Sequence, residues 1–376
     1  MISRRVLLAG IGAATFAGPM ARAAQPKAKL ILVVLRGAMD GLGVVPKLDD
    51  PYLGEHRKAL IPSKTLSLTD GFALDAHLTA LHQWFLAGEA SIVHAISGPW
   101  RDRSHFLSQD LLESGGVTAA GRTGWLNRAL SVHSSLSAVS IGPAQPLILK
   151  GSAQTSSWSP PVLPPASPDT IARLMDMYAA DPILQQALGQ AIATNAMTQT
   201  TKSGMRGGGE QGFAKHMAAA ARLMTAPGGP NIAVVCMDGW DTHSAQIGRL
   251  GRSLRALNEG LIAGRSALKE TWEDTVIACV TEFGRTVRDN GAKGTDHGTA
   301  GAAFLAGGAL KTAGGKMLGD WPGLAPGALY QNRDLYPAND LHALFKGLLT
   351  QLYGFDAPGL SKVFPDTRGG PVMRLA

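Results

Sequence analysis

Cysteine is nearly absent, with only Cys236 and Cys279 in 376 residues. That excludes a disulfide-stapled scaffold and a thiolate metal cluster, both of which need several clustered thiols. Each cysteine lies inside an apolar run, Ile232-Ala233-Val234-Val235-Cys236 and Val276-Ile277-Ala278-Cys279-Val280. Buried strand thiols are therefore expected; a bridge would require neighbouring strands with Cα atoms closer than about 7 Å. Long hydrophobic runs are also missing. The apolar stretch near the N-terminus ends at about Phe16, short of the roughly 20 residues of a membrane-spanning helix, which argues against a permanent membrane anchor. No block of Lys or Arg occurs, nor any basic patch interleaved with aromatics, so no nucleic-acid partner is expected. No G-x-x-x-x-G-K-[ST] follows a strand, no G-x-G-x-x-G follows the first strand, and haem and cluster motifs are absent. A redox enzyme thus lacks support, and no internal repeat signals a solenoid.

What is present begins with Met1-Ile2-Ser3-Arg4-Arg5-Val6-Leu7-Leu8, followed by small residues up to Ala21-Arg22-Ala23. A charged start, a short apolar core and an A-x-A site read as a cleaved export signal over residues 1–23. The adjacent arginines point to the twin-arginine route, making its export machinery an expected partner and a periplasmic or secreted location the expectation. Cleavage would remove Arg4, Arg5 and Arg22 with no acidic residue, so the net charge of +7 falls by 3 to +4. So mild an excess, spread over the chain, is a solubility feature rather than a recognition surface.

Lys29 to Leu35 is a continuous apolar run, as expected for a parallel strand buried on both faces. It ends at Arg36-Gly37-Ala38-Met39-Asp40-Gly41, where Asp40 would sit at the strand's mouth as a metal ligand or simply as an Asp-Gly turn. Leu78, Leu81, Trp84 and Phe85 recur at helical spacing and lead into a strand from Ala90 to Ile96. Ser104 then precedes a helix over Leu107 to Ser114, either as an N-cap or as a nucleophile at a helix N-terminus. The Ser/Pro-rich stretch from Gly151 to Pro168 should hold no regular element, and residues 198–212, with three consecutive glycines, form a second flexible segment. Farther on, strands at Ile232–Met237 and Thr275–Thr281 flank a helix whose core stripe is Ile247, Leu250, Leu254, Leu257 and Leu261. Strand, helix, strand in this order predicts an α/β fold in one domain over residues 24–376, with a mainly parallel central sheet flanked by helices.

Three polar clusters follow apolar runs in the C-terminal half: Gly239-Trp240-Asp241-Thr242-His243, Thr281-Glu282-Phe283-Gly284-Arg285-Thr286 and Gly294-Thr295-Asp296-His297-Gly298. An α/β sheet gathers its strand C-termini at one edge, so Asp238, Asp241, His243, Glu282, Asp296 and His297 should meet there. Unpaired carboxylates gathered with imidazoles point to a divalent metal site, in an enzyme or a descendant of one.

With Leu35-Arg36-Gly37-Ala38-Met39-Asp40-Gly41-Leu42, Arg103-Ser104-His105-Phe106, Gly124-Trp125-Leu126-Asn127-Arg128 and Gly319-Asp320-Trp321-Pro322-Gly323-Leu324, these motifs resemble a family spanning nearly the whole chain. It comprises bacterial twin-arginine-exported proteins of uncharacterised function, sulfatase-like members of the alkaline phosphatase superfamily. The resemblance implies an alkaline phosphatase/sulfatase-like sandwich. It also implies Asp40, Asp241, His243, Glu282 and His297 as metal ligands, Ser104 as nucleophile, and Arg103 or Arg285 as the group holding the anion. His105, Asp102 or Asp296 would stand in for a missing ligand, because Asp241-x-His243 and Glu282-Phe283 depart from the superfamily's usual spacing and residue types. The implied reaction is hydrolysis of a phosphate or sulfate ester of an anionic small molecule or glycan. The alternative is a non-catalytic exported module that binds a partner or the envelope with the same fold. Two histidines favour zinc or manganese over calcium.

Overall fold

The computed structural model describes residues 26–118, 121–159, 167–198 and 210–375. The export-signal reading over 1–23, and residues 160–166 and 199–209 of the two flexible segments, lie outside the described residues. Within Gly151–Pro168, where no regular element is expected, Ser156–Trp158 is a strand and Pro168 opens a helix, a correction of that expectation; at the far end of the second segment Glu210 opens another helix. Pro168 sits at the first helical turn, where a missing N–H removes no hydrogen bond.

The strands in chain order are β1 (Lys29–Leu35), β2 (Thr65–Ser67), β3 (Ala73–Asp75), β4 (Ala90–Ser97), β5 (Ala138–Ile141), β6 (Ser156–Trp158), β7 (Ile232–Met237), β8 (Thr275–Val280), β9 (Gly301–Ala306), β10 (Met317–Leu318) and β11 (Asn339–Asp340). Apart from the β2–β3 hairpin they form a nine-stranded sheet in the order β10-β4-β9-β8-β1-β7-β5-β6, with β11 pairing β4. Every pairing is parallel except those of β9 with β4 and β8.

Alternation decides which face each strand residue buries. From β1, Ile31, Val33 and Leu35 enter one core with the alternate residues Ala233 and Val235 of β7 and Ile277 of β8. Leu30, Leu32 and Val34 enter the opposite core with Ile232, Val234, Val276 and Ala278. The first core is covered by α1 (Thr79–Leu86), which contributes Trp84 and Phe85, and by two long helices labelled below. The second is covered by α2 (His105–Ser114) and α3 (Trp125–Val132), together with two C-terminal helices. Chain order continues with α4 (Pro168–Met177), α5 (Pro182–Thr198), α6 (Glu210–Thr225), α7 (Gln246–Leu268), α8 (Leu341–Tyr353) and α9 (Ala357–Val363). Helices α6 and α7 cover the first core and α8 and α9 the second, giving the expected helix–sheet–helix layering.

On α7, Leu250, Leu254, Leu257 and Leu261 are buried, but Ile247 is 51% exposed, so the apolar stripe starts one turn later than its spacing predicts. The cysteines are free: Cys236 on β7 and Cys279 on β8 flank β1 from opposite sides, pairing with Val34 and Val33. Two strand spacings of about 4.8 Å each separate them, beyond disulfide reach.

Candidate metal centre

The C-terminal ends of β1, β7 and β8 lie side by side in the sheet, and the loops leaving them carry the polar clusters. Close backbone packing joins these loops. Gly37 has φ +116°, and a Cβ there would meet the backbone nitrogen of Asp241 at 2.6 Å. A Cβ on Gly294 would fall 2.3 Å from the carbonyl carbon of His243. Only glycine lets the turns after β1 and before His297 approach the Asp241–His243 loop this closely. The Thr295 N–H donates to the Thr242 carbonyl at 3.2 Å, and Arg285 and His297 form an antiparallel bridge.

Three imidazoles converge on the Asp241 carboxylate. His243 Nε2 is 3.1 Å from its Oδ1, His297 Nε2 is 3.6 Å from the same oxygen, and His105 Nε2 is 3.7 Å from Oδ2. The Nε2 atoms of His243 and His297 are 2.9 Å apart. In each ring the other nitrogen faces an oxygen acceptor: Glu282 Oε1 at 2.7 Å from His105, the Arg103 carbonyl at 2.8 Å from His297, and Asp296 Oδ1 at 3.3 Å from His243. A ring that donates from Nδ1 presents an Nε2 lone pair, so the arrangement orients three lone pairs towards one carboxylate. Histidines oriented by carboxylate or carbonyl partners are typical of metal centres.

The fit to a metal can be tested on single atoms. His105 Nε2 is buried and has no hydrogen-bond partner among the described residues, the position of a ligand atom facing an ion. Donor atoms of His105, Asp241 and His297 lie within 4.8 Å of one another, and these residues can hold a metal ion. His243 lies beside them, its Nε2 2.9 Å from that of His297. Nitrogen donors with one carboxylate differ from the all-oxygen shell that calcium takes.

Charge follows the same geometry. Burial pushes the Glu282 carboxyl up, but bonds from His105, Gln109 and the Gly37 N–H outweigh it and hold the carboxyl below its usual value. Reciprocally, the bond to Glu282 raises His105. For Asp241, burial is outweighed by the Arg285 guanidinium, whose Nη2 donates to Oδ1 at 2.6 Å, so the carboxyl is lowered. The Asn290 side chain lowers Asp296, and burial, with His105 next, lowers His297.

Of the residues expected here from sequence, Asp241, His243, Glu282, Arg285 and His297 come together, although Glu282 supports His105 instead of facing the shared centre. His105, expected only as a stand-in, is a central member, and Asp296 backs His243. Asp40 stands apart as a ligand: it is buried, accepts from Arg57 Nη1 at 2.9 Å and takes Gln246 Nε2 on its other oxygen. Gln246 Oε1 in turn accepts from the hydroxyls of Thr242 and Thr295, so Asp40 braces the loops from below. The Arg103 guanidinium is bound to Asp334 and Gln331, whereas the buried Arg285 donates from Nη2 to Asp241 and its Nε and Nη1 have no hydrogen-bond partner among the described residues. Ser104 takes the N-cap position of α2 without a side-chain capping bond, and its N–H is held by Asp102 Oδ1 at 2.6 Å. Asp102 therefore sets this turn, while Asp238 is exposed at the end of β7.

Sequence reasoning missed Gln109, Gln246, Arg57 and Asp334. Gln109 was detectable, because it lies four residues after His105 on one helical face, and both reach Glu282 Oε1. The other three join residues far apart in the chain and leave no local pattern.

No curated protein matches the sequence. Among solved structures, the chain is similar to a protein of the alkaline phosphatase superfamily from Vibrio parahaemolyticus, at 11% identity and a TM-score of 0.39. The match covers 75% of this chain and 61% of that one, less than two thirds of its length. It is also similar to the C-terminal periplasmic domain of EcEptC from Escherichia coli, in complex with zinc, at 10% identity, TM-score 0.35 and coverage of 76% and 74%. A third likeness is the alkaline phosphatase of the Antarctic bacterium TAB5, at 8% identity, TM-score 0.34 and coverage of 75% and 92%. All three are distant. A family model matches residues 93–361, and with that span of motifs the chain belongs to the family described as protein of unknown function, DUF1501.

Proposed function

We propose that this chain is an exported metal-dependent hydrolase of phosphate or sulfate esters. The observation carrying this reading is the set of three imidazoles whose Nε2 atoms face Asp241 while their Nδ1 atoms are held by Glu282, Asp296 and the Arg103 carbonyl. His105, Asp241 and His297 would hold the ion, with His243 as a further donor, and the donor set favours zinc over manganese and calcium. A bound divalent ion supplies Lewis acidity and lowers the pKa of a coordinated hydroxyl or water. Ser104 is the chain's own nucleophile candidate, lying between Arg103, whose carbonyl fixes His297, and His105, whose ring enters the centre. Export by the twin-arginine route and a periplasmic or secreted location rest on the N-terminal residues Arg4 and Arg5 with their apolar run. Among the described residues no helix is long and apolar enough to cross a membrane.

Two observations favour a second reading, a binding module without catalysis: Arg285 already pairs with Asp241, and no base is hydrogen-bonded to the Ser104 hydroxyl among the described residues. Screening aryl and alkyl phosphates and sulfates with metal-loaded wild type, Ser104→Ala and Asp241→Ala separates the two. The hydrolase reading expects turnover that needs metal and disappears in both variants. Bound metal without turnover on either ester class supports the binding module.

A further inference from the structure

Arg103 invites a role on substrate, being cationic and one residue before Ser104. Its contacts point elsewhere. The guanidinium meets Asp334 Oδ2 twice, from Nε at 3.0 Å and Nη2 at 2.8 Å, and Nη2 also reaches Gln331 Oε1 at 2.7 Å. Asp334 is fully buried, and the same Oδ2 accepts from the Thr299 hydroxyl at 2.8 Å, two residues beyond His297. Asp334 Oδ1 lies 3.5 Å from Arg333 Nη1, so two guanidiniums share the buried charge and Arg103 makes the closer contact.

The turn presenting Asp334 is itself built under constraint. Gln331 and Asn332 both have φ near +52°, a left-handed conformation uncommon outside glycine. The turn is closed by mutual bonds between the backbones of Tyr330 and Asp334 at 2.9 and 3.0 Å. From it Arg333 donates to the His297 carbonyl at 2.6 Å. One turn thus grips His297 from behind and, through Asp334, the loop that leads to His105.

The consequence is carried by a main-chain atom. His297 Nδ1 bonds the Arg103 carbonyl at 2.8 Å, so where that carbonyl sits decides how the His297 ring is oriented. We infer that Asp334 and Arg103 form a positioning clamp: their ion pair fixes the Arg103 carbonyl against His297 and anchors the start of α2 so that His105 reaches the same centre. The clamp rests on the proposed metal centre and gives the Arg103 side chain no contact with substrate.

Substitution at position 103 keeps the main-chain carbonyl but frees it from the Asp334 ion pair, which makes the test discriminating. Metal dissociation constants would be measured by chelator competition with zinc for the full chain, Arg103→Ala, Arg103→Lys, Asp334→Asn and the Arg103→Ala/Asp334→Asn pair, beside thermal melts in chelator. Arg103→Ala is expected to weaken zinc binding by about 10–100-fold, while the Arg333 guanidinium 3.5 Å from Asp334 Oδ1 limits the fall of the metal-free melt. Arg103→Lys should recover part of the loss, and the double variant should lose no more than the larger single loss, as members of one unit do. Because Asp334 is buried and its variant is exposed to misfolding, the part-exposed Arg103 carries the decisive comparison. Unchanged zinc affinity in Arg103→Ala overturns the clamp, and a raised KM beside it would return Arg103 to the substrate. Wild type that binds no zinc removes the metal reading, and the clamp with it.

Discussion

Two kinds of buried carboxylate occupy the C-terminal edge of the sheet. Asp40, Glu113 and Asp334 each meet an arginine: Arg57 at 2.9 Å, Arg36, and Arg103 at 2.8 Å. Glu282, equally buried, forms no ion pair with a lysine or arginine among the described residues; its partners are the Gly37 N–H, Gln109, Thr281 and the His105 ring. The first kind is neutralised by the protein itself and braces loops. The second leans on an imidazole whose far nitrogen is buried with no hydrogen-bond partner among the described residues, so its compensating charge arrives through that ring, as a proton or as a metal ion. The contrast separates acids neutralised by arginine from the one that leans on an imidazole of the candidate centre.

The largest expected effect breaks the structural side. Arg57→Ala leaves Asp40 buried and unpaired and should lower unfolding free energy by about 3–5 kcal/mol, read by denaturant titration. On the other side, Glu282→Gln keeps the shape and removes the charge behind His105. It should weaken metal binding by about 10–100-fold while costing less stability than Arg57→Ala, a reversal that sharpens the contrast when both variants are measured by both methods.

This division was only partly legible in the sequence. The continuous apolar runs of β1, β7 and β8 encode strands buried on two faces, and the clusters after β7 and β8 name the loops that bear Asp241, His243 and Glu282. Which acid would meet an arginine was not legible. Asp40 and Glu282 follow comparable strands, but Arg57 reaches Asp40 through the fold, and nothing local marks Glu282 as lacking such a partner. The same limit applies to Arg103, whose position beside Ser104 suggests an anion-holder until the distant Asp334 is placed. Ile247 fits its helical stripe by spacing yet is exposed, because the buried face of the first turn of α7 is taken by Gln246, which reaches Asp40.

A smaller effect comes from buried imidazoles outside the centre. Burial lowers His342 to about 3 and His94 to about 4 from an ordinary value of 6.5, so both are neutral in the folded chain at pH 7. The unfolded chain binds their protons first on acidification. Stability from these groups is therefore fully present above about pH 6.5 and is lost as pH falls towards 3–4. Among the described residues neither ring nitrogen of His342 has a hydrogen-bond partner, and Trp100, Phe345 and Phe364 pack against the ring. His342→Phe should flatten part of that acid limb in melts from pH 7 to 4, with little change at pH 7. The smallest effect is none: with β1 between Cys236 and Cys279, adding reductant should leave the melting temperature unchanged, and a drop would mean that the two sulfurs are bridged.

The most direct measurement is elemental analysis of the purified, tag-free protein beside Asp241→Ala/His297→Ala, matched in purity and prepared without added metal. One or two divalent ions per chain in the wild type, lost in the variant, is the result the convergent histidines predict. A wild type free of metal that also takes up none on incubation with zinc or manganese would contradict it and leave Glu282 compensated by a proton on His105 alone.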